Sequence, residues 1–223
     1  MPDGKISISE VDNIKHLKYE ILKSVKKVIE EFQDNPFLFM SEADLQARLF
    51  CLLREKTDQA IEFEYKSKTP EGEKVNTHKI DLINTEYAGY MDAEHFNYID
   101  IVCLRPANAE KEIDEHSNDK LAQYLWRLPL LAGIELKLVR YDYNIGAEVG
   151  DTDKKKLIQV KEDPRGDDDF SWLVLCFYQN KEKVTRLDGK DTCDGKITFD
   201  QIYLIGGDKL YVRTTKKGVE SDG

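Results

Sequence analysis

The chain has 223 residues, 40% of them hydrophobic and 34% charged, which suits a globular fold with an apolar core and a heavily charged surface. Its net charge of −10 argues against a general nucleic-acid coat, which needs a basic surface. It leaves room for a local basic groove and for acidic clusters that hold divalent cations. No apolar run approaches the ~20 residues that cross a bilayer, and MPDGKISISEVDNIKH lacks the basic-then-apolar plan of a signal peptide.

Helical spacing of Val11, Ile14, Leu17, Ile21, Val25, Val28 and Phe32 predicts a first helix over about 9–32, ended by Pro36. Ser41 is a good N-cap for a second helix with Glu42 and Asp44 in its first turn and a stripe of Leu45, Leu49, Leu52 and Leu53. Glu42 falls at the start of that stripe. IEFEYK predicts a half-exposed strand, SKTPEGEKVNT a polar turn, and HKIDLINTEY a returning strand on which Asp81 is half-exposed. NYIDIVCL predicts an apolar strand interrupted by Asp100. The stretch from Arg105 to Asn118 is acidic, KLAQYLWRL is helical, and GIELKLVR lies in a buried strand. DTDKKKLIQVKED predicts a helix, Asp167 to Asp169 a solvated turn, SWLVLCFYQ a buried strand, and residues 196–215 a hairpin about Gly206 and Gly207. With no internal repeat and no long linker, one mixed α/β domain over 1–223 accounts for the order.

Cys51, Cys103, Cys176 and Cys193 form neither a CxxC pair nor a Cys/His zinc spacing, and the first three, inside apolar runs, read as small core residues of a reduced, cytoplasmic protein. His78, His95 and His116 show no site spacing.

The chemistry gathers at GIELK. Alternation puts Glu135 and Lys137 on one face of an apolar strand, where unpaired charges cost several kcal/mol. Many Asp/Glu-x-Lys triplets occur in the chain, Asp153-Lys154-Lys155 among them, and only Glu135-Leu136-Lys137 lies in such a strand. Asp100 on a neighbouring strand, Glu135, the Leu136 carbonyl and Glu42, directly or through water, make an oxygen ligand set for Mg²⁺ or Mn²⁺. Such a cation activates water and polarises a phosphate oxygen, and Lys137 orients that water or offsets charge on the phosphorane.

Glu42 in SEADLQ, Glu86 in NTEY, Asp100 in YIDIV and Glu135 with Lys137 in GIELK together resemble the PD-(D/E)XK nuclease superfamily. The resemblance covers about 41–178. It implies a restriction-endonuclease-like α-β-β-β-α-β core, a mixed sheet flanked by helices, here with an added N-terminal helix and C-terminal hairpin. It also implies metal ligation by Asp100 and Glu135, a catalytic Lys137, a helix carboxylate at Glu42 and an extra acid at Glu86. The chain departs from the literal motif in having Ile99, not proline, before Asp100.

The expected activity is cleavage of phosphodiester bonds in nucleic acid, DNA foremost, by an endonuclease that works as a homodimer in defence or DNA processing. The alternative is a non-catalytic nuclease-like module that binds protein or nucleic acid, and a third reading makes the charges a structural ion-pair network. Lys154, Lys155 and Lys156 fit phosphate contacts or a solvated helix face equally. Tyr141 and Tyr143 fit base stacking or surface packing equally, and Glu42 also fits a plain dipole-favouring role.

Overall fold

The apolar stripe of the first helix becomes its buried face. In the computed structural model, which describes residues 8–57, 60–69, 72–88, 98–106, 128–140, 150–162, 169–179, 190–192, 196–207 and 209–213, α1 spans Ile8–Asp34. Ile14, Leu17, Ile21, Val25, Val28 and Phe32 are buried along it. A 3-10 turn, Pro36–Leu38, follows, because proline lacks the N–H that would continue the α-helix. Helix α2 spans Glu42–Lys56. Its cap is reciprocal: Ser41 Oγ accepts from Asp44 N at 3.1 Å, and Asp44 Oδ2 accepts from Met40 N at 2.8 Å. Leu45, Leu49, Leu52 and Leu53 are buried, each worth about 1.5–3 kcal/mol. Cys51 is exposed, contrary to the core role expected of it. It shares their apolar run, but the helical period turns it away from the face that 49, 52 and 53 occupy. Cys103 and Cys176 are buried as expected.

Strands β1 (Ala60–Thr69) and β2 (Gly72–Asp81) form an antiparallel pair in which Thr69 faces Gly72. Most of the expected polar turn is therefore strand, with β1 running to Thr69 and β2 starting at Gly72. Gly72, at φ +132°, has the backbone freedom that a tight reversal needs. HKIDLINTEY is not one strand. It divides at Leu82 into the end of β2 and β3 (Ile83–Ala88), which belongs to another sheet. Leu82 is buried, its carbonyl takes the Leu104 N–H at 2.8 Å, and the Asn84 amide caps the Asp81 carbonyl at 2.7 Å. These bonds carry the chain from one ladder into the next.

The second sheet has seven strands among the described residues, in the order β3-β4-β5-β6-β8-β9-β7. Its further members are β4 (Tyr98–Leu104), β5 (Leu130–Val139), β6 (Ser171–Tyr178), β7 (Lys190–Thr192), β8 (Gln201–Gly206) and β9 (Lys209–Arg213). β3, β4 and β5 are an antiparallel meander, whereas β5, β6 and β8 run parallel. Parallel neighbours need a crossover, and α3 (Asp151–Glu162) lies between β5 and β6 in the chain. The β8–β9 hairpin falls where Gly206 and Gly207 predict it. β7 adds a short edge strand that the sequence pattern does not signal.

Helices cover both faces. Phe32 of α1 meets Phe177 of β6 edge-on at 5.0 Å between ring centroids, and α2 packs on β3, β4 and β5. On the other face, a Cβ on Gly133 would come within 2.9 Å of Leu157 Cδ2 on α3 and 3.0 Å of Phe170 Cζ. Gly150, at φ +84°, starts α3 close to Val174 and Cys176. The fold is mixed α/β, with β5 and β6 at its centre. No described helix is long and apolar enough to cross a membrane. The expected KLAQYLWRL helix before Leu128, the acidic stretch 107–118, Tyr141, Tyr143, His95, His116, Cys193, Asp167 and Asp168 lie outside the described residues, as does the His78 side chain.

Candidate functional site

The β4–β5 ladder pairs Ile101 with Ile134 and goes no further toward Asp100. One step beyond that last pair, Asp100 and Glu135 stand opposite each other, on the same face by alternation. In place of a strand-to-strand bond, Asp100 Oδ2 accepts the Leu136 N–H at 2.7 Å. The N–H and C=O of a strand residue point to the same side, so the Leu136 carbonyl also faces the gap beside β4. The two acids therefore meet where the strands part.

Glu135 is the most deeply buried acid of the set, at 1% exposure. Burial first, then the Asp100 carboxylate, pushes its carboxyl up to about 8. Lys156 on α3 opposes this shift. Its Nζ lies 2.5 Å from Glu135 Oε1 and donates to the Tyr98 carbonyl at 2.6 Å. Lys156 is the ion-pair partner of Glu135 Oε1, a buried oxygen with no other hydrogen-bond partner among the described residues. Burial also raises Asp100, held back by the Leu136 N–H and by Lys137 and Lys156.

Lys137 sits on the same face, with Nζ 3.6 Å from Asp153 Oδ1 and 3.9 Å from Glu42 Oε2. Burial pulls its ammonium down, but Asp153, Glu42, Asp100 and Glu135 together outweigh burial and hold it above an ordinary lysine. Lys137 is thus a fixed cation near neutral pH.

Glu42 is exposed rather than buried, yet it leans on the site: its Oε1 accepts the Leu138 N–H at 3.2 Å. Glu86 has φ +51°, a left-handed backbone that costs about 1–2 kcal/mol for a side-chain-bearing residue. The β3–β4 register skips it, pairing Thr85 with Ile101 and then Tyr87 with Ile99. Gln46, one turn after Glu42, ties this irregularity to the site, donating to Glu86 Oε1 at 2.9 Å and to the Asp100 carbonyl at 2.7 Å.

The structure thus brings Asp100, Glu135, Lys137 and Glu42 together, with Glu86 at the rim. Of the three consecutive lysines early in α3, Lys155 is exposed, Lys154 is half-buried, and Lys156 points inward to Glu135. Lys156 is engaged with the protein rather than offered to a phosphate. Two members escaped the sequence motif. Asp153 is buried at 9% exposure, and its signal was the spacing of 153, 157 and 160, which is the inward face of α3. Gln46 had no comparable signal, because its role depends on where β3 and β4 pass.

Among the described residues, no three His, Cys, Asp or Glu side chains already stand together as a metal centre. The donor set still suits a hard cation in its chemistry: two mutually repelling carboxylates, a buried carboxylate oxygen met by a single ammonium, and a carbonyl facing the same gap. No family model matches the chain, and no curated protein or solved structure matches it.

Proposed function

We propose that the protein is a Mg²⁺- or Mn²⁺-dependent nuclease of the PD-(D/E)XK kind that hydrolyses phosphodiester bonds in DNA. The observation that carries this reading is the Asp100–Glu135 pair at the parting of β4 and β5, with Lys137 on the same face. The order α2-β3-β4-β5-α3-β6 agrees with the restriction-endonuclease-like core and supports it. A cytoplasmic setting and a homodimeric, double-strand-cutting form in defence or DNA processing belong to the same proposal.

In this reading Asp100, Glu135 and the Leu136 carbonyl would hold the cation, with Glu42 as a further acid beside them, and the chemistry the cation would supply there is acidification of a water and polarisation of a phosphate oxygen. Lys137 stays protonated, so it does not remove a proton from water. It stabilises the negative charge that builds on the phosphorane oxygens, and it is kept in place by Asp153 and Glu42. Gln46 fixes the backbone at Asp100 from the side of α2.

A cleavage assay on supercoiled, linear and single-stranded DNA, and on RNA, tests the proposal. Wild type with Mn²⁺ is expected to cut. Lys137→Ala and Asp100→Asn should lose about 100-fold or more while remaining folded by circular dichroism. A folded wild type that cuts none of these sinks the proposal. A second reading, a non-catalytic module that binds nucleic acid or protein, is favoured by Lys156 standing on Glu135 where a cation would go. In that case a gel shift would survive in chelator.

A further inference from the structure

Six ionisable side chains are linked around the parting of β4 and β5: Glu42, Asp100, Glu135 and Asp153 against Lys137 and Lys156. With all six ionised, four carboxylates face two ammoniums, so the cluster lacks two positive charges. A divalent cation that takes the place of Lys156 halves that deficit.

The two lysines are held differently. Lys137 lies between Asp153 and Glu42, the outer acids, at 3.6 and 3.9 Å. Lys156 takes the inner acid at 2.5 Å, with its side chain only 14% exposed, and is tethered to the Tyr98 carbonyl two residues before Asp100. Glu135 Oε1, the oxygen it covers, has no other polar partner, so any cation using that oxygen must compete with Lys156. The tether is a single hydrogen bond to a carbonyl at the exposed start of β4, and Tyr98 is 52% exposed. A long lysine stem can swing from there toward solvent without moving α3.

We propose that Lys156 is a built-in counter-ion that occupies Glu135 until a divalent cation displaces it, and so sets the site's affinity for that cation. The inference rests on the metal-dependent reading above and adds a residue outside the resemblance that carried it. By holding +1 where the cation brings +2, Lys156 stabilises the empty carboxylates and raises the cation concentration at which the site fills.

The test is Mn²⁺ binding, followed by calorimetry and by the electron paramagnetic signal of free Mn²⁺, with no nucleic acid present. A pH of about 9 keeps Glu135 mostly ionised. Lys156→Gln removes the charge and keeps a donor for the Tyr98 carbonyl, so it should bind Mn²⁺ at least about tenfold more tightly than wild type. Lys156→Arg keeps the charge and should stay within about threefold of wild type. Without metal, Lys156→Gln should melt lower than wild type, and the gap should close as Mn²⁺ is added. Wild-type binding that is lost in Asp100→Asn but unchanged or weaker in Lys156→Gln overturns this inference and leaves the cation site standing. Absence of Mn²⁺ binding in wild type and in Lys156→Gln alike overturns both.

Discussion

Strand β5 has two halves of opposite character, the first wholly buried and the second passing from buried Glu135 and Leu136 to half-buried Lys137, Leu138 and Val139. Leu130 to Ile134 lies against β4 on one side and, from Ala132, pairs with β6 on the other, is wholly apolar, and narrows to glycine at 133 so that α3 can approach. From Glu135 onward the β4 partner falls away, and the same strand carries an acid and a lysine on the face beneath α3. The first half supplies stability. The second spends some of it, since a buried carboxylate beside another carboxylate is unfavourable until a positive charge arrives. One strand thereby positions a reactive cluster with the rigidity of the core that precedes it.

Breaking the apolar half should have the largest effect. Ile134 is 2% exposed and sits at the last β4–β5 pair, so Ile134→Ala should cost about 2–5 kcal/mol, read from the denaturant midpoint. It should also loosen the site, because that pair fixes the separation of Asp100 and Glu135. Gly133→Val comes next. Its new side chain would meet Leu157 and the buried Phe170 ring, and the overpacking should cost about 1–3 kcal/mol. A midpoint unchanged in Gly133→Val would show that α3 does not press on β5 there.

The charged half should show itself as a slope. Glu135 is raised in the folded state to about 8 from an ordinary value of 4.5, so between those limits the folded state binds more protons than the unfolded. Stability without metal should therefore fall as pH rises through that window, by at most about 1.4 kcal/mol for each pH unit, and level off above it. Asp100, also raised, contributes in the same direction. Glu135→Gln should remove most of this fall. A wild-type curve that rises between pH 5 and 8 would mean that Lys156 outweighs burial at Glu135.

The sequence alone was informative wherever one periodic pattern decided the outcome. The leucines of α2, the Ser41 cap, the burial of SWLVLCFY and the glycine hairpin at 206–207 all rest on local spacing, and each took its expected place. The pairing of Asp100 with Glu135 was legible for the same reason: lone charges inside apolar strands stand out against alternation. Local pattern failed where two environments share one stretch of chain. Nothing in HKIDLINTEY marks Leu82 as the point of exchange between two sheets, and Cys51 differs from its apolar neighbours only in helical phase.

By itself, then, the sequence determined an α/β chain with charges embedded in two apolar strands, because hydrophobic period and charge are properties of neighbours along the chain. Only the tertiary structure decided the partners of those charges. Asp153 and Lys156 reach β5 because α3 packs on the face that Gly133 leaves open, and Gln46 reaches Asp100 because α2 crosses β3 and β4. Residues far apart in sequence meet through the packing of whole elements, and that packing is fixed by shape and volume across the core rather than by any local motif.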